Sequence, residues 1–243
     1  MKKLVAAGAH KIFQLSPVFR DGEQTARHRP EFTLLEWYEA GLSLDGMMQQ
    51  TEALVRHVAH ALGAPAPAAF LRASVSALFA ADAGIVLDGT TPDSLVAAAR
   101  AAGHVLRPGA DFEDAFFQVM GEVIEPAIAA RGPTFVTRWP ARMAVLARRC
   151  DDDPRYAERF ELYAGGLELC NAFFELTDPI EQRARFVADN EMRAQLGKDR
   201  LPLDEEFLAA LKDMPATSGN ALGLDRLLMF LTGTARIEHV TVW

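Results

Sequence analysis

Three groups of side chains in this chain have the residue types and spacing to do chemistry. The first lies in residues 11–38, where two strand-like runs flank a loop carrying Arg20, Asp21, Glu23, Arg27, His28, Arg29 and Glu31. Alternation along the second run puts Phe32, Leu34, Glu36 and Tyr38 on one face and Thr33, Leu35 and Trp37 on the other. A carboxylate and a phenol thus share a face with an aromatic ring. An arginine at a strand end beside such a floor is equipped to grip a zwitterion or a nucleotide.

The second group surrounds Gly165-Gly166, a two-residue hairpin signal, because glycine accepts the positive φ that such turns require. A tight turn sets 164 opposite 167, 163 opposite 168 and 161 opposite 170. Glu161, Tyr163, Glu168 and Cys170 are then expected on one face, with the two glutamates diagonal to each other. Adjacent carboxylates repel unless a cation sits between them, and magnesium bridging ATP phosphates takes oxygen ligands of this kind. On spacing alone, a surface hairpin with solvated acids is the favoured reading. The third group is Gly223-Leu224-Asp225-Arg226. Leu224, Leu227, Leu228 and Leu231 recur at helical spacing as a core stripe, so Arg226 leaves by another side near the helix N-terminus, where free N–H groups favour a phosphate. The same pattern also describes an ordinary N-cap followed by a surface arginine. His57 and His60 are not spaced i, i+4, and His104 and His239 are isolated, so no zinc site is read.

The elements that must position these groups belong to a chain of 243 residues, long enough for one domain with an insertion. Lys and Arg number 25 against 33 Asp and Glu, a net charge of −8 that excludes a general nucleic-acid-coating surface. Cys150 and Cys170 are the only cysteines, which excludes a disulfide scaffold and fits a reducing cytoplasm. No apolar run reaches membrane-spanning length, and the start is too weakly apolar for a secretory signal, so a cytoplasmic protein is expected. In order, the pattern predicts a helix over 1–9 closed by Gly8, the first hairpin, and a helix over 43–62 with Met47, Thr51, Leu54, Val55, Val58 and Leu62 inward. A helical insertion without chemistry follows over about 69–131, with pieces at 91–102 and 111–130. Strands are predicted from Pro133, over 157–163 and from Leu167, then helices over 180–196 and 204–212. SGNALG is read as a loop, 224–231 as a helix and RIEHVTVW as a closing strand.

The run FRDGEQTARHRPEFTLLEWY resembles the second signature motif of class II aminoacyl-tRNA synthetases of the lysine branch, and in particular their stand-alone relatives that attach a lysine-type amino acid to elongation factor P. RFELYAGGLELCNAFFELTD and SGNALGLDRLLM are similar to two further segments of that family. The resemblance implies an α+β fold, an antiparallel sheet with flanking helices, and adenylation of an amino acid by ATP. It gives Arg20 the carboxylate and α-phosphate, Phe32 the adenine, and Arg226 the γ-phosphate. Glu23, His28, Leu169 and Gly223 fall beside the nucleotide. Glu161 and Glu168 serve ATP and Mg2+, and Glu36, Tyr38, Asn171, Phe173 and Glu175 the substrate's ammonium groups. The last three share Glu168's face only if the strand bulges or ends just after Cys170. Ala221 stands where tRNA-charging members tend to have glycine and the elongation factor P ligases alanine. Gly22, Arg29 and Ala172 depart from the pattern. Segments that precede the first hairpin in the family, including the dimer-building motif, a pocket strand and an anticodon-binding barrel, have no counterpart here. An open sheet edge is therefore expected, and a homodimer only by another surface than the usual one. Three functions stay open: an elongation factor P ligase, a tRNA-charging relative, and a non-catalytic paralogue that binds ATP or a partner.

Overall fold

The computed structural model describes residues 1–22, 24–87 and 92–241. Seven strands form one sheet in the order β1-β2-β7-β6-β5-β4-β3: β1 (Lys11–Phe19), β2 (Glu31–Ala40), β3 (Leu71–Ser74), β4 (Thr134–Pro140), β5 (Tyr156–Ala164), β6 (Leu167–Phe174) and β7 (Thr217–Gly223). All neighbours are antiparallel except β3 and β4. The interior strand β7, between β2 and β6, contains the SGNALG segment read as a loop. It has no β-branched residue beyond Thr217, and its small side chains answer to crowding, because a Cβ on Gly219 would collide with the Tyr38 ring and stand 2.5 Å from Glu175 Oε1.

Alternation divides the sheet between cores. Phe135, Phe160, Leu162, Leu169, Cys170, Ala172 and Leu222 pack on one face under α2 (Leu44–Ala61) and α9 (Leu224–Thr232). Ser43 caps α2 by accepting from the Gly46 N–H. Met47, Thr51 and Val55 are buried as the helical period requires, while Leu62 lies just past the helix and is exposed. On the opposite face, Val136, Trp139 and Tyr163 join the core of the insertion, and Tyr38 joins α1 (Lys2–Ala6) and α8 (Glu205–Ala210). The helices therefore cover both ends of that face and leave its middle as a cleft.

The insertion contains more than helices. It opens with β3, and its later part is α5 (Phe112–Val119), a π-helical turn over Met120–Ile124 and α6 (Glu125–Arg131), preceded by α3 (Val75–Ala83) and α4 (Pro92–Ala101). The run after α7 (Pro179–Gln195) leads to α8 as the pattern predicts. The described part of the terminal segment read as a strand, 236–241, contains a 3-10 turn over Ile237–His239, whose first N–H donates to the Ala26 carbonyl at 2.8 Å, and the last two residues of that reading lie outside the described residues. The sheet ends on β1, with Phe13, Leu15 and Phe19 exposed along it.

Candidate active site

The three chemical segments converge. Arg20, Glu168 and Arg226 line a single cavity of about 360 Å3, shared with His28, Phe32, Asn171, Phe173, Ala221 and Gly223. Leu169 reaches it only through its main chain, since its side chain is buried in the core. Glu36, Tyr38, Glu161 and Glu175 do not line this cavity. Glu23 lies outside the described residues.

The loop between β1 and β2 is tied over the cleft. Arg27 donates to the Gly166 carbonyl at 3.0 Å, Arg29 to the Thr241 hydroxyl at 2.6 Å, and His28 Nδ1 lies 2.8 Å from the Thr25 hydroxyl. The Arg20 guanidinium sits 5.7 Å from the Phe32 ring centroid. Asp225, one residue before Arg226, is buried and accepts from the Thr33 N–H at 2.7 Å, which fixes α9 against β2. Gly223 precedes α9 without a side-chain cap, so the first N–H groups of that helix stay available at the cleft.

The Gly165-Gly166 turn forms as predicted, with φ of 60° and 73° and Ala164 opposite Leu167. Tyr163 then faces Glu168, but Leu162 faces Cys170 and Glu161 faces Asn171, so the irregularity falls at Leu169, before Cys170 instead of after it. One extra residue on β6 keeps Glu168, Asn171 and Phe173 on the cleft side and turns Cys170 into the core, away from the glutamates it was expected to join. Glu161 is nearly fully buried. Its Oε2 accepts from the Tyr163 hydroxyl at 2.6 Å, and its Oε1 pairs with Arg159. Arg226 donates to the Glu168 carbonyl at 2.9 Å and lies 3.5 Å from its carboxylate. Withdrawal from water and the like charge of Glu161 push the Glu168 carboxyl up to about 7, against the pull of Arg226, Arg159 and Arg20.

At the far end of the cleft face, the Tyr38 hydroxyl donates to Glu36 at 2.5 Å, and burial, then Glu175 and Glu36, raises the Tyr38 phenol. Ala221 stands between Glu36 and Asn171 across the ladder. Glu175 follows β6 and is buried, its Oε2 2.5 Å from Lys2 Nζ of α1.

Sequence reasoning missed three charged groups here. Arg159 pairs with Glu161, donates to Asn171 Oδ1 at 3.2 Å and to the Met143 carbonyl at 2.7 Å, and lies 4.4 Å from the Trp139 ring and 5.7 Å from that of Phe173. The only signal for it was its place two residues before Glu161 on the same strand face. Glu125, from the insertion read as chemically silent, feels Glu168, Arg226 and Arg27, and burial raises its carboxyl. Lys2 gave no signal of its own.

The residues fit an ATP-using site. The cleft combines guanidinium groups, an aromatic ring and a helix N-terminus with the Glu168 carboxylate beside Arg226. All 243 residues match the model of the family described as tRNA synthetases class II (D, K and N). Among similar proteins, the elongation factor P (R)-beta-lysine ligase of Haemophilus influenzae is 39% identical over 241 residues, covering 99% of this chain and 73% of the relative. The Vibrio cholerae protein of that name is 38% identical over 245 residues, covering 100% and 74%. That of Salmonella arizonae is 39% identical, covering 99% and 73%. The chain belongs to the class II tRNA synthetases of the D, K and N group.

Proposed function

We propose that the chain converts ATP and a lysine-type amino acid, lysine or (R)-β-lysine, into an aminoacyl-adenylate and passes the aminoacyl group to a lysine side chain of elongation factor P in the cytoplasm. One observation carries the reading: three segments far apart in sequence bring Arg20, Glu168 and Arg226 to one cavity. The names of the relatives support the acceptor. The net charge of −8 favours a protein acceptor over tRNA.

In the first step a carboxylate oxygen attacks the α-phosphorus and pyrophosphate leaves. In the second, the acceptor amine attacks the acyl carbon, the bond to AMP breaks and the amine loses a proton. Alignment and charge neutralisation dominate such chemistry, so the guanidinium groups do most of it. Arg20 holds the carboxylate beside the α-phosphate, Phe32 supports the base, and Arg226 exchanges Glu168 for the terminal phosphate. Glu36, Tyr38, Asn171 and Glu175 receive the ammonium groups. Glu168, on the cavity wall, would hold Mg2+ together with the phosphates, and Glu161 behind it would join only by releasing Arg159 or Tyr163. That donor set fits an ion shared with phosphates. Bound there, the ion would neutralise phosphate charge.

Amino-acid-dependent exchange of labelled pyrophosphate into ATP tests the first step, and transfer of labelled amino acid to purified elongation factor P or to tRNA tests the second. Exchange with lysine or β-lysine and label on the protein are expected. No exchange removes the enzyme reading, and label on tRNA alone changes the acceptor.

A further inference from the structure

Glu175 is 1% exposed at the end of β6, and its backbone N–H donates to the Thr217 carbonyl of β7 at 2.9 Å. Lys2 Nζ stands 2.5 Å from Glu175 Oε2, and neither atom has a hydrogen-bonding partner beyond this ion pair among the described residues. The other oxygen, Oε1, is turned towards Gly219 and Tyr38, 2.5 Å from where a Gly219 Cβ would stand. The two oxygens therefore have different neighbours: a lysine of the chain itself behind, and the cleft face of the sheet in front. Two roles are compatible with a lysine at this point. Lys2 either fills the seat that a substrate ammonium must take, or stays behind the carboxylate and keeps it ready.

The anchoring of α1 favours the second. Val5 is buried in one cluster with Tyr38, Leu208, Leu211 and Met214, and Lys3 pairs with Asp204 at 2.8 Å and with Glu206 at 3.3 Å. The helix is held on its other sides, so Lys2 is delivered to Glu175 by packing that a ligand in the cleft does not touch. We propose that Lys2 is a positioning residue of the amino-acid site, holding Glu175 by Oε2 so that Oε1 is presented to the substrate's ammonium, and remaining in place when that substrate binds. This rests on the reading of Glu175 as the ammonium acceptor.

Burial raises the Glu175 carboxyl above its ordinary value, Lys2 opposes that rise without cancelling it, and the neighbouring charge of Glu36 adds to it. The titratable groups acting on Glu175 are Lys2 from α1 and Glu36 and Tyr38 from β2, and β7 and the preceding loop meet it through the Thr217 carbonyl and Ala147. Without Lys2, an arriving ammonium must first expel a proton from Glu175, so its affinity becomes more dependent on pH.

The test is calorimetric titration of lysine and (R)-β-lysine into the full chain and into Lys2→Met and Lys2→Arg between about pH 6 and pH 9. The unaltered chain is expected to bind with less pH dependence from this group than Lys2→Met. Lys2→Met should bind about 10-fold more weakly near neutrality and recover as the pH rises, and Lys2→Arg should restore the binding. Tighter binding by Lys2→Met overturns the proposal and makes Lys2 a competitor. A loss that is independent of pH, or that Lys2→Arg does not rescue, overturns it in favour of a structural role. Should Lys2→Met fail to fold, Lys2→Gln in a Glu175→Gln background draws the same distinction: equal binding with and without Lys2 is expected, and a further loss overturns the proposal. No binding by the unaltered chain at any pH removes the site reading itself, and the proposal with it.

Discussion

At the scale of single residues, the cleft is set by arginines that already have partners. Arg226 spends its donors on the Glu168 carbonyl and carboxylate, so ATP has to offer a better acceptor than a carboxylate whose own proton affinity is raised. A forked guanidinium can keep the carbonyl while turning its second edge to a phosphate, which an ammonium cannot do. Arg226→Lys is expected to lower pyrophosphate exchange by about 100-fold with little change in melting temperature; an exchange rate close to that of the unaltered chain sinks the assignment. Gly219 is a different kind of site residue, chosen for what it lacks. Gly219→Ala should cost about 1–3 kcal/mol, because the Tyr38 ring and Glu175 sit in the core of the sheet and cannot both give way. In a chain of this size that is a drop of about 2–4 °C in melting temperature per kcal/mol, and amino-acid binding should suffer while nucleotide binding does not. Thermal melts with separate ATP and lysine titrations check both halves. Arg20, Phe32 and Arg226 were legible in the sequence because each sits inside a dense local pattern. Arg159, Glu125 and Lys2 were not, because their meaning lies in the distant groups they meet.

At the scale of elements, the hairpins and the long helices followed from alternation, helical period and turn chemistry, and the failures have physical causes. β7 went unread because it is made of small residues, and strand propensity mostly records side chains that fill a pleated surface. Here the neighbours fill it. The terminal segment failed in the reverse sense: HVTVW alternates like a strand, yet Ile237 is bound to the loop between β1 and β2 and the chain turns there instead. The bulge on β6 was expected because the proposed roles put two sets of ligands on one face of one strand, but it was expected just after Cys170, and alternation could not say that Leu169 would be the extra residue. The turn that joins β5 to β6 offers a clean separation of space from strain. A Cβ on Gly166 meets only Ala129 and Arg27, both at 3.8 Å, so the barrier to substitution is its φ of 73° and not a clash. Gly166→Asn should therefore cost less than about 1 kcal/mol in denaturant unfolding, and Gly166→Val about 1–3 kcal/mol, since a β-branched residue tolerates that region worst. Equal losses in the two variants would mean that volume, not backbone conformation, decides.

At the scale of the whole molecule, charge is sorted by location. Acids with arginine or lysine partners at or near the surface, Glu39, Glu181, Asp204, Glu205 and Glu238, have lowered carboxyl values, and Arg155 holds Asp153 at about 2. Acids around the cleft go the other way: burial raises Glu125, Glu168 and Glu175, with Glu168 at about 7. Glu125 comes from the insertion and Glu168 from the sheet, so two cores are pressed together around carboxylates whose proton affinity burial raises. The signs of the two sets are opposite. A lowered acid stabilises the fold above its unfolded value and loses that contribution as the pH falls. A raised acid binds its proton more tightly folded than unfolded, so its contribution is complete below its unfolded value and is lost as the pH rises, for Glu168 through about 7. The ligand-free chain should accordingly melt at a lower temperature near about pH 8 than near about pH 5. Mg2+ with ATP should shrink that difference, because a cation on the cleft acids favours their ionised form. Glu168→Gln removes the titrating group and should flatten the ligand-free profile around neutrality. Melting curves of the two proteins across this range, with and without Mg2+ and ATP, decide it: a decline of the same slope in Glu168→Gln would place the pH dependence elsewhere and leave the cleft acids without the strain that a cation is expected to relieve.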